Sequence, residues 1–319
     1  MSGRDARAGA IGTLIVLGPT AAGKSALALA LADHYPIEIV NGDSLQAYRG
    51  LDVGTAKPGA AERARVPHHL IDILDPSEPF SAGEFRRRAL PVIEEIRARG
   101  RLPVVVGGSG FYLRALTAGL SAIPPVPGAL RREVAALLRR EGLPAVRRRL
   151  ASLDPETAAR VAADDPQRTL RALEVVLATG RGLADWWRRE PPRAELEVLG
   201  RIGLTLPRAL LYDRIARRLA TMVADGWVEE VVGLLAGGCL PTMPAFQAIG
   251  YRQLVRHIRG EWSLERSLEE TARETRRFAK RQLTWFRREP DVDWIEGRSL
   301  AEALPRALEA ISRRIGGVE

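Results

Sequence analysis

The sequence predicts an α/β protein, a parallel sheet flanked by helices and carrying an all-helical insertion. Three observations lead there. An apolar run at Thr13–Leu17 feeds directly into LGPTAAGKSALA (17–28), which fits the phosphate-cradling pattern G-x-x-x-x-G-K-[ST] at Gly18, Gly23, Lys24 and Ser25. Strand-like apolar runs then alternate with helical patterns to about residue 120, as in a parallel sheet covered on both faces. From 121 to 192 the alternation stops, and an Arg- and Ala-rich stretch without a strand candidate runs between IPPVPG and EPPR. The expected architecture is a P-loop NTPase-like core built from 1–120 and 193–319, interrupted by a helical insertion at 121–192.

Thr13–Leu17 is the first strand. The residues before it place two arginines ahead of a short apolar run, which superficially resembles a secretory leader; because the run ends in the glycine-rich loop, it is read as a strand. Ser25–His34 (SALALALADH) consists of good helix formers. PIEIV (36–40) alternates as a strand and stops at NGDS, and HLIDIL (69–74) is a further apolar run. SAGEFRRRALPVIEEIRARG carries a capping box, Ser81 with Glu84, and ends at Gly100 as a helix should. LPVVVGGSG (102–110) is a continuous apolar strand closing in a glycine turn, followed by the helical FYLRALTAGL. After the insertion the strand LEVLGRIGLTLP (196–207) precedes two helices ended by glycines, RALLYDRIARRLATMVADG and WVEEVVGLLAGG. A long basic helix, SLEETARETRRFAKRQLTWFRRE (267–289), leads to a last strand candidate, DVDWIE (291–296).

With 46% hydrophobic and 27% charged residues, the 319-residue chain has the composition of a globular protein. No apolar stretch approaches the roughly 18 residues a membrane span needs, so no membrane partner is expected. Cys239 stands alone, which excludes an intrachain disulfide and suits a reducing, cytoplasmic compartment. Forty-eight basic residues against 39 acidic ones give a net charge of +9, a field that attracts polyanions. Codon usage can explain why nearly all of those cations are arginine, but not why they are in excess. Lys24, Lys57 and Lys280 are the exceptions. A compact ammonium does not replace a planar guanidinium, so the three mark candidate sites.

The chemistry begins at the loop Gly18, Pro19, Thr20, Ala21, Ala22, Gly23, Lys24, Ser25. Its backbone N–H groups and the following helix N-terminus suit phosphate oxygens, Lys24 neutralises charge, and the Ser25 hydroxyl can ligate Mg²⁺. The motif is a nucleotide-binding one and indicates a di- or triphosphate; it does not by itself indicate ATP hydrolysis. Many such folds hold their metal with an acid at the end of a second apolar strand, whereas PVVVGGSG ends in glycines and a serine. The best-placed carboxylate is Asp43, which could contact a metal, accept a proton from a nucleophile, or merely stabilise the NGDS turn. In DPQRTLRAL, Gln167, Arg168 and Arg171 share one helical face, and AFQAIGYRQL sets Gln247, Tyr251 and Arg252 around a glycine. Amide, guanidinium and aromatic groups suit splayed RNA bases, although a solvated face has the same composition. The Arg-rich helix over 271–288, with Lys280, could track phosphates or simply face water.

GPTAAGKS, VNGDSLQAYRGLDVGTAKP, PHHLID, GGSGFYLRAL, DPQRTLRALEV, AIGYRQL and AKRQLTWFR, in this order, resemble the tRNA dimethylallyltransferases from about residue 12 to 296. The resemblance implies transfer of a dimethylallyl group from dimethylallyl diphosphate to N6 of the adenosine just 3′ of the anticodon, with the loop holding a diphosphate leaving group and Mg²⁺ as cofactor. It implies Asp43 as the base at N6, Lys24, Arg218 (in RIARR) and Ser109 as further active-site groups, and Ser25 as the metal residue. Contacts to the tRNA anticodon stem-loop are implied for Asp43, Ser44, Leu45, Gln46, Ser109, Arg131, Gln167, Arg168, Thr169, Leu170, Arg171, Gln247, Ala248, Ile249, Gly250, Tyr251 and Arg252. A monomer is expected. The chain departs from the family in having NGDS where Ser or Ala often precedes the Asp, and Ser109 where Thr is usual. Two rival readings share the same residues: a small-molecule or nucleotide kinase, and a non-catalytic RNA-binding protein with a vestigial loop.

Overall fold

The computed structural model describes residues 12–316, so the arginines of the leader-like start lie outside the described residues. The elements, in chain order, are β1 (Thr13–Leu17), α1 (Lys24–Leu31), β2 (Ile37–Asn41), α2 (Ala60–Arg65), β3 (His68–His69), α3 (Ala82–Ala98), β4 (Leu102–Gly107), α4 (Gly110–Ala118), α5 (Gly128–Leu153), α6 (Pro155–Arg160), α7 (Pro166–Thr179), α8 (Leu183–Arg189), β5 (Val198–Thr205), α9 (Arg208–Ala224), α10 (Trp227–Ala236), α11 (Tyr251–Ile258), α12 (Leu264–Phe286), β6 (Val292–Glu296) and α13 (Leu300–Gly316). Chain contacts separate two units, one drawn from the stretches up to Thr117 and from Leu196 onward, the other being Ala118–Glu195.

The first unit holds a six-stranded sheet in the order β3-β2-β4-β1-β5-β6, with every pairing parallel. β1 reads TLIVL and is buried throughout, as a strand covered on both faces must be. Because strand side chains alternate, neighbouring residues enter different cores. Leu14, Val16, Val104, Val106, Ile37, Ile39, Ile202 and Leu204 pack with α1 and α13. Ile15, Leu17, Val40 and Val105 pack with α3 and α4 on the other face. A further core around Trp227, Phe246 and Tyr251 joins α9, α10, α11 and α12. The loops that follow β1, β2 and β4 all leave the carboxyl edge of this sheet, the edge where open parallel sheets bind ligands.

The second unit is all helical, with its own core of Val134, Val146, Leu150, Ala172, Leu173 and Val176. Gly142 (φ 76°) interrupts α5. The chain enters and leaves this unit at a narrow neck. Gly119 has φ +83°, and a Cβ there would lie 2.0 Å from the Arg193 carbonyl oxygen, so only glycine lets the two segments approach this closely.

Several expectations change in detail. α1 ends at Leu31 rather than His34. HLIDIL supplies no strand beyond the two-residue β3, because Leu70 (φ 61°) and Asp72 (φ 57°) adopt left-handed backbone. Only half of the capping box forms: the Ser81 hydroxyl accepts from the Glu84 N–H at 3.1 Å, while the Glu84 carboxylate turns to Arg87 and Arg88. α13 was absent from the sequence reading, and it covers one sheet face with Ala303, Ala307, Ala310 and Ile311. Among the described residues no helix is long and apolar enough to cross a membrane.

Candidate active site

The loop after β1 is shaped by left-handed residues: Gly23 at φ 95° and Ala21 at φ 63°. A non-glycine residue held there marks strain that the surroundings must support. Pro19 O accepts from the Ala22 N–H at 3.3 Å, and Thr20 donates its N–H to Gln282 Oε1 at 2.9 Å. Among the described residues the amides of Ala21, Gly23, Lys24, Ser25 and Ala26 have no partner, and no side chain caps α1. Unpaired amides at a helix N-terminus make an anion cradle. The Lys24 ammonium donates to Pro19 O at 2.8 Å. Its pKa falls to about 8, chiefly because burial disfavours the charge; the Asp43 carboxylate opposes the drop and Arg218 adds to it.

Asp43 sits in a turn held by Asn41. The Asn41 side chain donates to Asp43 O at 2.9 Å and accepts from the Asp43 N–H at 2.9 Å. Asp43 Oδ1 accepts from the Leu45 N–H at 2.9 Å, so the turn-stabilising reading is right for one oxygen. The other, Oδ2, has no hydrogen-bond partner among the described residues. The carboxylate acts electrostatically on Lys24, on Arg218 and on Tyr112, which brings these groups into one cluster. Burial lowers the pKa of Arg218 and Asp43 draws it back up; burial raises that of the Tyr112 phenol, which donates to Phe80 O at 2.6 Å.

Arg218, on α9, is aimed by a braced loop. Its Nη2 donates to Thr55 O at 3.3 Å, and Gln46 Nε2 donates to the same carbonyl at 3.2 Å. The Glu230 carboxylate on α10 accepts from the N–H groups of Asp52 (2.8 Å), Val53 (2.6 Å) and Gly54 (3.3 Å), and from the Tyr251 hydroxyl (2.6 Å). Lys57, expected among the candidate sites, is a buried brace instead. Its ammonium donates to Tyr48 O, Asp52 and Asp72 within 2.7 Å, leaving it nothing for a ligand.

The remaining residues divide by burial. Ser109 precedes α4, and its hydroxyl has no partner among the described residues; Ser44 and Leu45 are half-buried. Gln247 and Arg252 are exposed, with Gln247 donating to Pro241 O at 3.1 Å and Arg252 paired with Glu274. Ile249 is half-buried, and Ala248 and Gly250 are buried. Tyr251 is not the exposed stacking ring expected from the sequence. Its ring lies at 0% exposure against Trp227 and Phe246, with its hydroxyl donated to Glu230. In the helical unit Gln167 and Arg168 are exposed, whereas Thr169 is buried and donates to Asp165 O at 2.7 Å. Leu170 packs on that unit's core, and Arg171 shares its electrostatic surroundings with Arg131 and Glu174.

Sequence reasoning missed Gln282, Glu230, Tyr112 and Arg214. Arg214 lies one helical turn before Arg218 on α9, and its guanidinium comes within 3.8 Å of where a Cβ on Gly23 would be. The four-residue spacing was the available signal. Gln282 interrupts the apolar stripe Ala279, Leu283, Phe286 on α12, which marks a buried polar group with fixed partners. On the opposite stripe Arg277, Lys280, Arg281 and Arg288, with Thr284 and Trp285, line an open groove of about 410 Å³.

A family model described as IPP transferase matches residues 46–289, and one described as isopentenyl transferase matches 11–75. The tRNA dimethylallyltransferase of Phenylobacterium zucineum is 50% identical over 273 residues (86% of this chain, 88% of that one). That of Geobacter metallireducens is 48% identical over 283 residues (89% and 92%). The chain belongs to the tRNA dimethylallyltransferase family. Family membership favours the transferase over the kinase, a choice the loop alone left open. Among solved structures, the tRNA isopentenylpyrophosphate transferase of Bacillus halodurans is 36% identical with a TM-score of 0.69, covering 96% of this chain and 98% of that one. A eukaryotic dimethylallyltransferase acting on tRNA is 25% identical with a TM-score of 0.84, covering 97% and 80%.

Proposed function

We propose that the protein transfers a dimethylallyl group from dimethylallyl diphosphate to N6 of the adenosine 3′-adjacent to the anticodon (position 37) of tRNA, in the cytoplasm. The observation that carries this reading is one carboxylate, Asp43, with a free oxygen beside two half-buried cations and a cradle of unpaired amides. As N6 attacks C1 of the prenyl chain, the C1–O bond breaks and its electrons pass to the diphosphate. The N6 proton passes to Asp43 Oδ2. The free amides, Lys24 and Arg218 stabilise the negative charge that grows on the leaving group, an interaction stronger in the transition state than before it. An adenine stacked in an anticodon loop cannot reach this cluster, so it is extruded into the site.

Mg²⁺ fits the residues present. Among the described residues no group of His, Cys, Asp or Glu forms a protein cage, but Mg²⁺ commonly takes one or two protein oxygens plus phosphate oxygens and water. The exposed Ser25 hydroxyl, which has no partner among the described residues, would hold it. When bound, the ion neutralises diphosphate charge. Contacts of the tRNA with Gln46, Ser109, Gln167, Arg168, Arg171, Gln247 and Arg252 are supported by their exposed or half-buried polar ends. The deciding experiment is nucleoside mass analysis of tRNA incubated with the protein, Mg²⁺ and dimethylallyl diphosphate. A prenylated adenosine is expected; tRNA-dependent release of ADP from ATP, with no prenylated nucleoside, overturns the reading.

A further inference from the structure

We propose that Gln282 makes the phosphate loop selective for a diphosphate over a longer polyphosphate chain; the inference rests on the loop holding the diphosphate leaving group. Gln282 is buried on the inner stripe of α12, and both ends of its carboxamide are committed. Oε1 accepts from the Thr20 N–H at 2.9 Å, and Nε2 donates to Gly108 O at 2.8 Å. The two partners fix which end is which, since a carbonyl cannot donate and an N–H cannot accept. A Cβ on Gly108 would fall 2.4 Å from Nε2, so the glycine is what admits the carboxamide.

The consequence lies in the accounting of the loop's donors. A loop of this pattern binds phosphate chains through successive backbone N–H groups, with the lysine reaching the distal phosphates. Here Ala22 is bonded within the loop and Thr20 is bonded to Gln282, which leaves Ala21, Gly23, Lys24, Ser25 and Ala26 to a ligand. Those donors sit at the α1 end of the loop, and the lost one lies on its entering arm. A further phosphate group extending toward that arm meets a carbonyl oxygen in place of an N–H. It loses a charge-assisted hydrogen bond and faces lone-pair repulsion, while a diphosphate held at the α1 end is unaffected. Selectivity built by opposing the wrong ligand is as effective as improving the right one.

The test measures binding of inorganic pyrophosphate and of tripolyphosphate, each with Mg²⁺, by titration calorimetry to the wild-type protein, Gln282→Ala and Gln282→Met. Wild type is expected to favour pyrophosphate. Both variants free the Thr20 N–H, and the preference should narrow by about tenfold, the worth of one hydrogen bond to a charged group. Gln282→Met keeps the buried volume, so the comparison survives if the alanine variant does not fold. A purely structural role would weaken both ligands alike; an unchanged ratio in a folded variant overturns the proposal. Equal binding of the two ligands by wild type also overturns it, while leaving the transferase reading intact. Failure of wild type to bind pyrophosphate at all overturns both.

Discussion

Asp43 divides its work between two oxygens, one holding the turn through the Leu45 N–H and the other facing the site. Replacing it by Asn keeps an oxygen for the turn and removes the proton acceptor. Single-turnover prenyl transfer by Asp43→Asn should fall about 10²–10⁴-fold, with affinity for a non-reactive donor analogue near normal. Transfer within a few-fold of wild type would reduce the residue to a turn former. Lys24 makes a pH prediction. Its folded pKa of about 8 lies below the ordinary 10.5, so between those values the unfolded chain binds a proton that the folded protein has released. The contribution of this group to stability therefore rises with pH across that window, and the cost of burying its charge is fully present below it. Lys24→Met should abolish that rise in denaturant titrations of the ligand-free protein. Pyrophosphate needs the ammonium, so wild-type affinity should weaken as pH climbs through about 8; a flat profile would count against Lys24 as a phosphate ligand. The same ammonium chemistry misled the sequence reading at Lys57, because residue type cannot reveal that three acceptors have already closed on it.

At the scale of elements, α10 and α12 act on the site from behind. Glu230 grips the amides of Asp52, Val53 and Gly54, and through Thr55 O it steadies Arg218. Glu230→Gln presents N–H against N–H, and the loss of alignment should slow transfer on the order of 10²-fold. The fall should appear in kcat more than in KM for the donor, measured with saturating tRNA. On the outer stripe of α12, replacing Arg277, Lys280 and Arg281 by Ala should weaken tRNA binding and flatten its dependence on salt. Arg276 is a poorer target, since its guanidinium lies over the Tyr212 ring at 5.8 Å. Unchanged binding and slope in the triple variant would make the stripe a solvated face. Most strands and long helices were legible because continuous apolar runs and glycine stops are local signals. α13 was not, because its role depends on a sheet face assembled from distant residues. Gln282 and Glu230 were illegible for a related reason, since each bonds backbone far away in sequence.

Across the whole molecule, the parallel sheet is what turns scattered motifs into a site, because it delivers the loops after β1, β2 and β4 to one edge. The motif order was legible; the electrostatic joining of Lys24, Asp43 and Arg218 is a property of the closed fold. If the first unit is complete in itself, a chain in which a short Gly/Ser linker replaces Ala118–Glu195 should still melt cooperatively and bind pyrophosphate, while losing prenyl transfer to tRNA. A chain that fails to fold would show that the core depends on the insertion. The neck at Gly119 also bears on time. During synthesis β4 emerges well before β5, yet both must flank β1, so the sheet waits for the intervening segment. Once Gly119 and Arg193 meet, the core has a short connection to close in place of one of roughly 90 residues, a saving of about 1.5 kcal/mol in loop entropy. A Gly119→Val variant, unable to draw the neck shut, should refold more slowly than it loses stability, and stopped-flow fluorescence would record the delay.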